Sequence, residues 1–552
     1  MAEYLKEIFL YSDSQPLLFT QLYFWIFFAV VLAVYSVIYK HKRIRNIWLF
    51  AVSLFFYYKT SGFFFSILLV STFIDFFVGK FIYKSKTKKR KIFFVSLSII
   101  SNLFILSYFK YSYFFVDNFN QFFGTHFTPV NIFAQWTNSF AGTHFEVDKI
   151  LLPVGISFYT FQTISYSVDV FRGKIKPVKN ILDFGFYVSF FPQLVAGPIV
   201  RASDFLPQIY KDYSLTKQEF GHALFLILNG LTKKIIIGDF IAVHFIDKIF
   251  DNPSAFTGFE NLMALYGYSL QVYADFSGYT DIAIGVALLM GFRLPINFNS
   301  PYKAHNVGNF WKRWHISLSS WLKDYLYIPI GGNRKGSLFS YIALAVILFF
   351  IIVMAHSKIL PFIILASIVA VIILARIFPV FKKWINTNIN IMITMLLGGL
   401  WHGASWMFVI WGGLNGLGIV VYKLWRKISP WEGKNNIAVR FWTIFLTFNF
   451  ITFTRIWFRG DSLATANSIL HQISSNFGFS LVKDIVWAYH NVFLIMLIGY
   501  VIHWLPSQFK EYYRGAFIKS PLVFKLFFTV LIVFVLYQFN SSELQAFIYF
   551  QF

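Results

Sequence analysis

The sequence predicts an all-α, polytopic integral membrane protein, and three features of its composition carry this prediction. Only 13% of the 552 residues are charged, whereas soluble domains cover their surfaces with about 25%. Hydrophobic residues make up 57% of the chain, and its mean hydropathy is +0.61. Apolar runs of more than about 18 residues recur many times, far too often for one signal peptide. A soluble enzyme, a disordered protein and a fibrous repeat are therefore excluded.

The membrane segments are predicted from apolar runs that alternate with polar or basic stretches. At about 20 residues per crossing, they amount to roughly 11 to 14 transmembrane or re-entrant helices. Basic clusters at 40–45 and 84–91 mark cytoplasmic loops, so the N-terminus is predicted to lie outside. Pro192 and Pro198 interrupt one run, and broken backbone at membrane depth is tolerated where it lines a cavity. In order, the runs are 17–39, 48–58, 63–83, 92–115, 151–171, 181–200, 221–241, 262–286, 341–354, 359–375, 391–421, 441–458, 492–505 and 522–537.

The positive charge and the absence of cysteine restrict the function further. The net charge is +24, but the basic residues fall in short clusters between apolar runs, as in cytoplasmic loops. We therefore expect no nucleic-acid partner. Without cysteine there can be no disulfide, thiolate metal site or acyl-cysteine intermediate. No metal site and no bound cofactor are predicted.

One domain is expected to fill the chain. The sequence contains no internal repeat and no separate soluble segment, so residues 1–552 are predicted to form a single integral membrane domain. Its last helix, near 522–537, is predicted to carry the tail that ends at residue 552 to the extracytoplasmic side.

His315 lies in a basic, aromatic segment that is predicted to form one helix over 309–329, capped by its first residue. In such a helix His315 and Ser319 share a face, with Lys312 and Arg313 beside them. The basic side chains suit the phosphates of a nucleotide-bearing donor. An interfacial anchor helix, with Trp and Lys at the lipid headgroups, explains the same composition and stays open.

His402 lies near the middle of the apolar run 391–421, directly after Trp401. An ionisable side chain at membrane depth is costly and points to function. Gly399 and Gly403 are four residues apart, so another helix or a ligand can approach closely. An imidazole there can act as a general base on an alcohol. A histidine that merely hydrogen-bonds across helices is the alternative.

The segment 271–281 contains a third polar cluster, formed by Asp275, Ser277, Gly278 and Asp281. Two acids beside a glycine in an apolar run indicate a polar lining or a broken helix. A loop at the membrane interface is an equally good interpretation.

The extreme C-terminus, 546–552, is aromatic although free tails are usually polar. It is too short to span a membrane, so we expect it to dock, and Tyr549 is its only hydroxyl. An interfacial aromatic anchor is the alternative.

Together these motifs resemble the membrane-bound O-acyltransferase family, in its bacterial alginate O-acetyltransferase branch. The resemblance covers about 151–415, with a weaker echo at 457–459. The matching blocks are 153–162 (PVGISFYTFQ), 191–201 (FPQLVAGPIVR), 273–279 (YADFSGY), 291–298 (GFRLPINF), the His315 block through 334, and the Trp-His-Gly block at 401–403.

The resemblance implies an all-helical bundle around a tunnel that crosses the membrane. The histidine of the family's Trp-His-Gly motif maps onto His402, and its second catalytic position maps onto His315. In related teichoic-acid D-alanylation systems a small partner carries a Phe-x-Tyr tail for the acyl group, a pattern matched loosely by Phe547-Ile-Tyr549. The candidates for the tunnel or the donor site are Lys312, Arg313, Ser319, Asp275, Ser277, Gln193 and Trp401.

One departure concerns the connection between the two histidines. His315 and His402 are 87 positions apart, and the branch usually has a shorter connection. The extra length, at about 338–378, is apolar and is predicted to form an inserted hairpin. It leaves the subfamily, and with it the acceptor polymer, open.

The expectation is a bacterial inner-membrane O-acetyltransferase that moves acetyl from cytoplasmic acetyl-CoA outward, for alginate-like exopolysaccharide or peptidoglycan. His402 would be the general base, and His315 would orient the thioester or stabilise its oxyanion. Tyr549 is a possible intermediate acceptor. Membrane lipid, a periplasmic O-acetyltransferase and the polysaccharide are the expected partners. D-alanyl transfer from a carrier protein to teichoic acid, and polysaccharide or lipid transport, remain alternatives.

Overall fold

The computed structural model describes residues 9–12, 16–141, 146–195, 197–354, 359–434 and 436–539. Over these ranges every regular element is a helix, because helices satisfy their own backbone groups in lipid. The described residues divide into two compact units. The first draws on Met1–Lys110, Leu151–Ser300 and Asn467–Phe552, and the second on Tyr111–Ile150 and Pro301–Ala466.

The second unit contains α5, α6 and α14 to α20, and the first contains the other helices, including most of α21. In chain order the helices are α1 (Leu22–Ile38), α2 (Lys42–Ser61), α3 (Phe65–Lys84), α4 (Lys88–Leu106), α5 (Ser112–Phe123), α6 (Ile132–Ala141), α7 (Ile156–Phe171), α8 (Ile181–Ser189), α9 (Phe191–Leu194), α10 (Ala202–Ile209), α11 (Lys217–Thr232), α12 (Asp247–Asp251), α13 (Gly258–Leu289), α14 (Val307–Trp311), α15 (Ile316–Leu322), α16 (Leu338–Met354), α17 (Leu360–Ile377), α18 (Pro379–His402), α19 (Trp406–Ile428), α20 (Ile437–Arg459), α21 (Leu463–Ser475), α22 (Val482–Ala488), α23 (His490–Trp504), α24 (Ser507–Lys519) and α25 (Leu522–Phe539).

Several of these helices are long and apolar enough to cross a membrane. Among the described residues there are five such stretches, or six if a pair bent by 86° counts as one broken span. The predicted all-α, multi-pass membrane protein is thus confirmed. Other apolar runs form shorter helices, such as α1, so the predicted total of crossings stays a prediction. The five stretches are Lys42–Lys84, Lys88–Phe123, Trp406–Ile428, Ile437–Arg459 and Leu522–Phe539.

Within the first unit, α11 and α13 begin with reciprocal side-chain caps. Thr216 and Glu219 form the capping box of α11, and Thr257 and Glu260 form that of α13. Each box satisfies two backbone N–H groups that a helix start leaves open. Beyond α11 the chain continues through π-helical turns at Lys233–Asp239 and Ala242–Ile246. The wider turns place Lys233 and Lys234 against α13, where both form ion pairs.

Within the second unit, α18 and α19 pack at very close range. A Cβ on Gly399 would lie 2.2 Å from the carbonyl oxygen of Phe408 and 3.0 Å from Cα of Gly412. No side chain fits there, so the two backbones meet directly. The close helix approach predicted from Gly399 is confirmed, and it fixes the end of α18, where His402 lies.

The segment in which an inserted hairpin is predicted contains the helices α16 and α17, and a buried asparagine holds the start of this segment. The side-chain amide of Asn390, on α18, donates to the carbonyls of Gly332 (2.9 Å) and Lys335 (3.0 Å). Its carbonyl oxygen accepts from Ser340 at the start of α16 (2.9 Å). The segment after α15 is therefore tied to α18 before the chain enters α16.

Candidate active site

His315 joins two short helices and is completely buried. It follows α14, precedes α15 and has φ of +44°, in the left-handed region that costs a non-glycine residue about 1–3 kcal/mol. The prediction of one helix over 309–329 is therefore wrong. The cap is also misplaced, because Asn306 caps α14 and accepts from the backbone N–H of Asn309 (2.8 Å). The left-handed turn faces the imidazole inward, with 0% of the residue exposed.

The hydroxyl of Ser317 lies beside the imidazole of His315. Its Oγ lies 3.5 Å from Nδ1 of His315. The Ser319 hydroxyl instead donates to the carbonyl of Trp314 (3.2 Å). Because the helix breaks at His315, the continuous helical face on which the predicted pairing of His315 with Ser319 depends is absent. Sequence periodicity missed Ser317 for the same reason.

His402 is the last residue of α18, and only 2% of it is exposed. The apolar run around it is not one helix, because the chain leaves helical geometry at Gly403 and α19 starts at Trp406. Ser405 caps α19 and accepts from the backbone N–H of Met407 (3.2 Å). The imidazole thus lies at a helix end, where the backbone turns.

Tethers from the start of the second unit flank this turn. The Tyr111 hydroxyl donates to the carbonyl of Leu400 (2.8 Å), and the Trp406 indole N–H donates to the side chain of Asn118 (2.8 Å). One tether precedes His402 and the other follows it. Both hydrogen bonds limit the movement of the backbone that carries the imidazole of His402.

The two predicted histidines lie together in the second unit. Their ring centroids are 6.5 Å apart, with 64° between the ring planes. Trp401, which was also predicted for the site, has its ring 5.1 Å from that of His402 and 6.1 Å from that of His315. Two imidazoles at this separation can contact the same small group from different sides.

Two further aromatic rings lie beside His402. The rings of Trp411 and Phe458 lie 5.0 Å and 5.5 Å from its centroid. Such walls exclude water, which strengthens electrostatic interactions at a reacting group and limits hydrolysis of a reactive ester.

The protonation state of His315 follows from its burial. His315 lies outside the long apolar helices, and burial lowers its pKa to about 3. A buried imidazole loses the hydration that stabilises its charged form. His315 is therefore neutral at physiological pH and acts there through hydrogen bonds rather than as a cation.

The basic candidates beside His315 lie at the edge of this region. Lys312 is exposed. Arg313 is half-buried and donates through Nε to the side chain of Asn309 (3.1 Å). Neither charge is enclosed with the histidines, so both suit a solvated ligand group better than the reacting atoms.

Arg455 was missed by the sequence reasoning. It lies near the C-terminal end of α20 with 1% of its surface exposed. Its guanidinium carbon is 4.8 Å from the ring centroid of Trp314 and 5.1 Å from that of Phe458. The available signal was an arginine two residues before the weak motif echo at 457–459, inside an apolar helix.

The remaining candidates, Asp275, Ser277 and Gln193, belong to the first unit. Asp275 and Ser277 lie inside α13, which is continuous over 32 residues, so the predicted broken helix and the interfacial loop are both wrong. Asp275 is buried in an ion pair with Lys234. Gln193 donates to the backbone carbonyl of Tyr187 (2.7 Å). The contacts of Asp275 and Gln193 are structural ones within their own unit.

Tyr549, the predicted acyl acceptor, lies outside the described residues, as does the whole segment 546–552.

Comparison with known proteins identifies the family. A family model described as MBOAT, membrane-bound O-acyltransferase family, matches residues 172–375. The chain is 32% identical over 469 residues to the peptidoglycan O-acetyltransferase of Helicobacter pylori, covering 80% of this chain and 76% of that protein. It is 33% identical over 453 residues to the probable alginate O-acetylase of Pseudomonas putida, covering 81% and 78%.

A more distant relative has a different acyl group in its name. The teichoic acid D-alanyltransferase of Bacillus subtilis is 29% identical over 326 residues, covering 56% of this chain and 68% of that protein. The predicted resemblance and the predicted enzyme class, an O-acyltransferase, are confirmed by these matches. This chain belongs to the membrane-bound O-acyltransferase family.

Proposed function

We propose that this protein takes acetyl from acetyl-CoA at the cytoplasmic face of a bacterial inner membrane and supplies it for O-acetylation of a cell-envelope or secreted polysaccharide. The acceptor class is an alginate-like exopolysaccharide or peptidoglycan, as in the names of the two relatives above. The observation that carries the proposal is the buried pair of His315 and His402, 6.5 Å apart among aromatic rings.

His402 is the general base in the proposed reaction. Its imidazole takes the proton of the attacking hydroxyl, the hydroxyl oxygen bonds to the thioester carbonyl carbon, and the carbonyl electrons move onto its oxygen. When the carbonyl re-forms, the carbon–sulfur bond breaks and the thiolate leaves with the proton from His402. Positioned proton transfer of this kind accelerates a reaction by about 10²–10⁴-fold.

His315 orients the reactants in this scheme. Its neutral imidazole has one N–H donor and one acceptor nitrogen, so it can hydrogen-bond a neutral group as well as an anion. Its contact with Ser317 favours one ring orientation. A fixed imidazole 6.5 Å from the base suits a group that holds the thioester in place.

The donor and the relay complete the proposal. Lys312 and Arg313 precede His315 at the edge of the site, and their charges suit the phosphates of acetyl-CoA. Tyr549 is proposed as the outward acceptor, because a phenol ester keeps acetyl activated relative to a sugar ester. A separate periplasmic O-acetyltransferase would then pass acetyl to the polysaccharide.

The test uses purified protein in lipid nanodiscs with radiolabelled acetyl-CoA. We expect label on Tyr549, mapped by mass spectrometry, that disappears in His402→Ala and persists in His471→Ala, an exposed histidine. Steady CoA release with added acceptor, but no labelled protein, would remove the tyrosine step and keep the acetyltransferase. Normal acetylation by His402→Ala would remove the proposed mechanism.

D-alanyl transfer is the second candidate, favoured by the similarity to the Bacillus subtilis protein. It uses the same imidazole chemistry but takes a thioester on a carrier protein. Turnover of a D-alanyl carrier protein, with none of acetyl-CoA, would select it. A transporter would keep its activity in His402→Ala and turn over neither donor.

A further inference from the structure

Arg455 is a charged residue that is buried in an apolar helix, where an ionised side chain is energetically costly. It is 1% exposed near the end of an otherwise apolar helix, α20. Buried charges in proteins are normally paired, because an uncompensated one loses its hydration without replacement. A buried arginine in such a helix therefore requires a partner.

That partner is not supplied by the part of the chain that the structure describes. None of the three guanidinium nitrogens of Arg455 has a hydrogen-bond acceptor among the described residues. Instead, the faces of Trp314 and Phe458 lie against the cation. Contact with ring faces stabilises the charge but leaves its N–H donors, which radiate in the guanidinium plane, without acceptors.

The same two rings connect Arg455 to the histidines. Trp314 directly precedes His315, and Phe458 lies 5.5 Å, centroid to centroid, from His402. A further donor is near: the indole N–H of Trp311 is also buried without an acceptor among the described residues, and its ring is 5.6 Å from that of Trp411. The N–H donors of Arg455 and Trp311 thus lack acceptors among the described residues, next to the aromatic rings that pack against the histidines.

We propose that Arg455 is a catalytic residue that binds the oxyanion of the acyl-transfer intermediate. The proposal rests on the proposed acyl transfer at His402. When the hydroxyl oxygen bonds to the thioester carbon, negative charge appears on the carbonyl oxygen. The Arg455 N–H groups donate to that oxygen until the carbonyl re-forms and the thiolate leaves. A charged guanidinium stabilises this negative oxygen more strongly than the neutral imidazole of His315 does.

The experiment measures acetyl-CoA turnover by purified protein in nanodiscs. We expect Arg455→Ala to lower kcat by about 10²–10³-fold with little change in KM, as for loss of an oxyanion donor. Arg455→Lys keeps the positive charge but loses the planar set of N–H donors of the guanidinium. This variant should remain at least about tenfold slower than the wild type. Millimolar methylguanidinium should restore activity to Arg455→Ala, which a purely structural role does not predict.

Arg440→Ala is the matched control, because Arg440 is exposed at the other end of α20 and its loss should leave kcat unchanged. A raised KM at unchanged kcat in Arg455→Ala would assign Arg455 to ground-state binding and overturn the proposal. Wild-type turnover by Arg455→Lys would also overturn it. If Arg455→Ala does not fold, Arg455→Lys decides.

The outcomes separate this inference from the proposed function. Loss of turnover in His402→Ala with normal turnover in Arg455→Ala would remove only the role of Arg455. Normal turnover in His402→Ala would remove the acyl-transfer mechanism itself.

Discussion

Two polar regions of this protein differ in how their ionisable side chains are stabilised. In the first unit, Lys234 is ion-paired with Asp275 and with Asp239 (2.7 Å), and Lys233 pairs with Asp281 (2.7 Å). In the second unit, His315 and His402 are surrounded mainly by aromatic rings. The first region neutralises its charges within the protein, whereas the second contains a neutral imidazole and an arginine for which the described residues provide no hydrogen-bond acceptor.

This difference distinguishes buried polar groups that stabilise the fold from those that can act on a substrate. A lysine that already has two carboxylates holds helices together and has little capacity for a substrate. Imidazoles that pack against aromatic rings are placed where a ligand can use their ring nitrogens. Variants in the two regions should therefore fail in different ways.

The largest expected effect is on activity, in His402→Ala. Without its general base, acyl transfer should slow by about 10²–10⁴-fold, while the melting temperature of the purified protein stays within a few degrees. Turnover and thermal unfolding are measured on the same preparation. A comparable drop in stability would mean that His402 belongs with the structural polar groups.

The next effect is on stability, in Lys234→Met. Removing the cation leaves the buried Asp275 and the half-buried Asp239 without their shared partner, which should destabilise the protein by about 3–5 kcal/mol. Thermal unfolding in detergent measures this, with the exposed Lys217→Met as the control. Adding Asp239→Asn and Asp275→Asn should recover part of the loss, since no charge is then unpaired. An unchanged melting temperature in Lys234→Met would contradict the structural role of this network.

A smaller effect concerns pH. Burial lowers the pKa of His315 to about 3, so between that value and its unfolded pKa of about 6.5 only the unfolded chain binds the proton. Stability is thus complete above about pH 6.5 and falls with decreasing pH, by about 2 kcal/mol at pH 5. The fall in melting temperature between pH 7 and pH 5 should be smaller in His315→Gln. Equal falls in both proteins would show that His315 is not held neutral.

The smallest effect is expected at Ser317. Its Oγ is 3.5 Å from Nδ1 of His315, a long contact that is worth at most about 1 kcal/mol. Ser317→Ala should slow turnover by up to about fivefold. Ser319→Ala should have the weaker effect, because that hydroxyl donates to a backbone carbonyl. The reverse order would favour the continuous helix that periodicity predicts.

The sequence predicted the helical membrane fold well, because low charge and long apolar runs follow directly from solvation in lipid. It singled out His402, since an ionisable group inside an apolar run is conspicuous. The break at His315 could not be predicted, because tertiary contacts impose its left-handed backbone against the local helical periodicity. The acids of 275–281 were placed in a broken segment because Lys233 and Lys234, their partners, lie on another helix far away in sequence.

The Asn390 contacts have a consequence for how the chain tolerates change. Because this side chain fixes the backbone near 332–335 and also the start of α16, the base of the hairpin is held independently of its length. Shortening α16 and α17 together, or placing an epitope between them, should leave the separation of the two imidazoles unaltered. The connection between α16 and α17 is thus a suitable position for engineered tags.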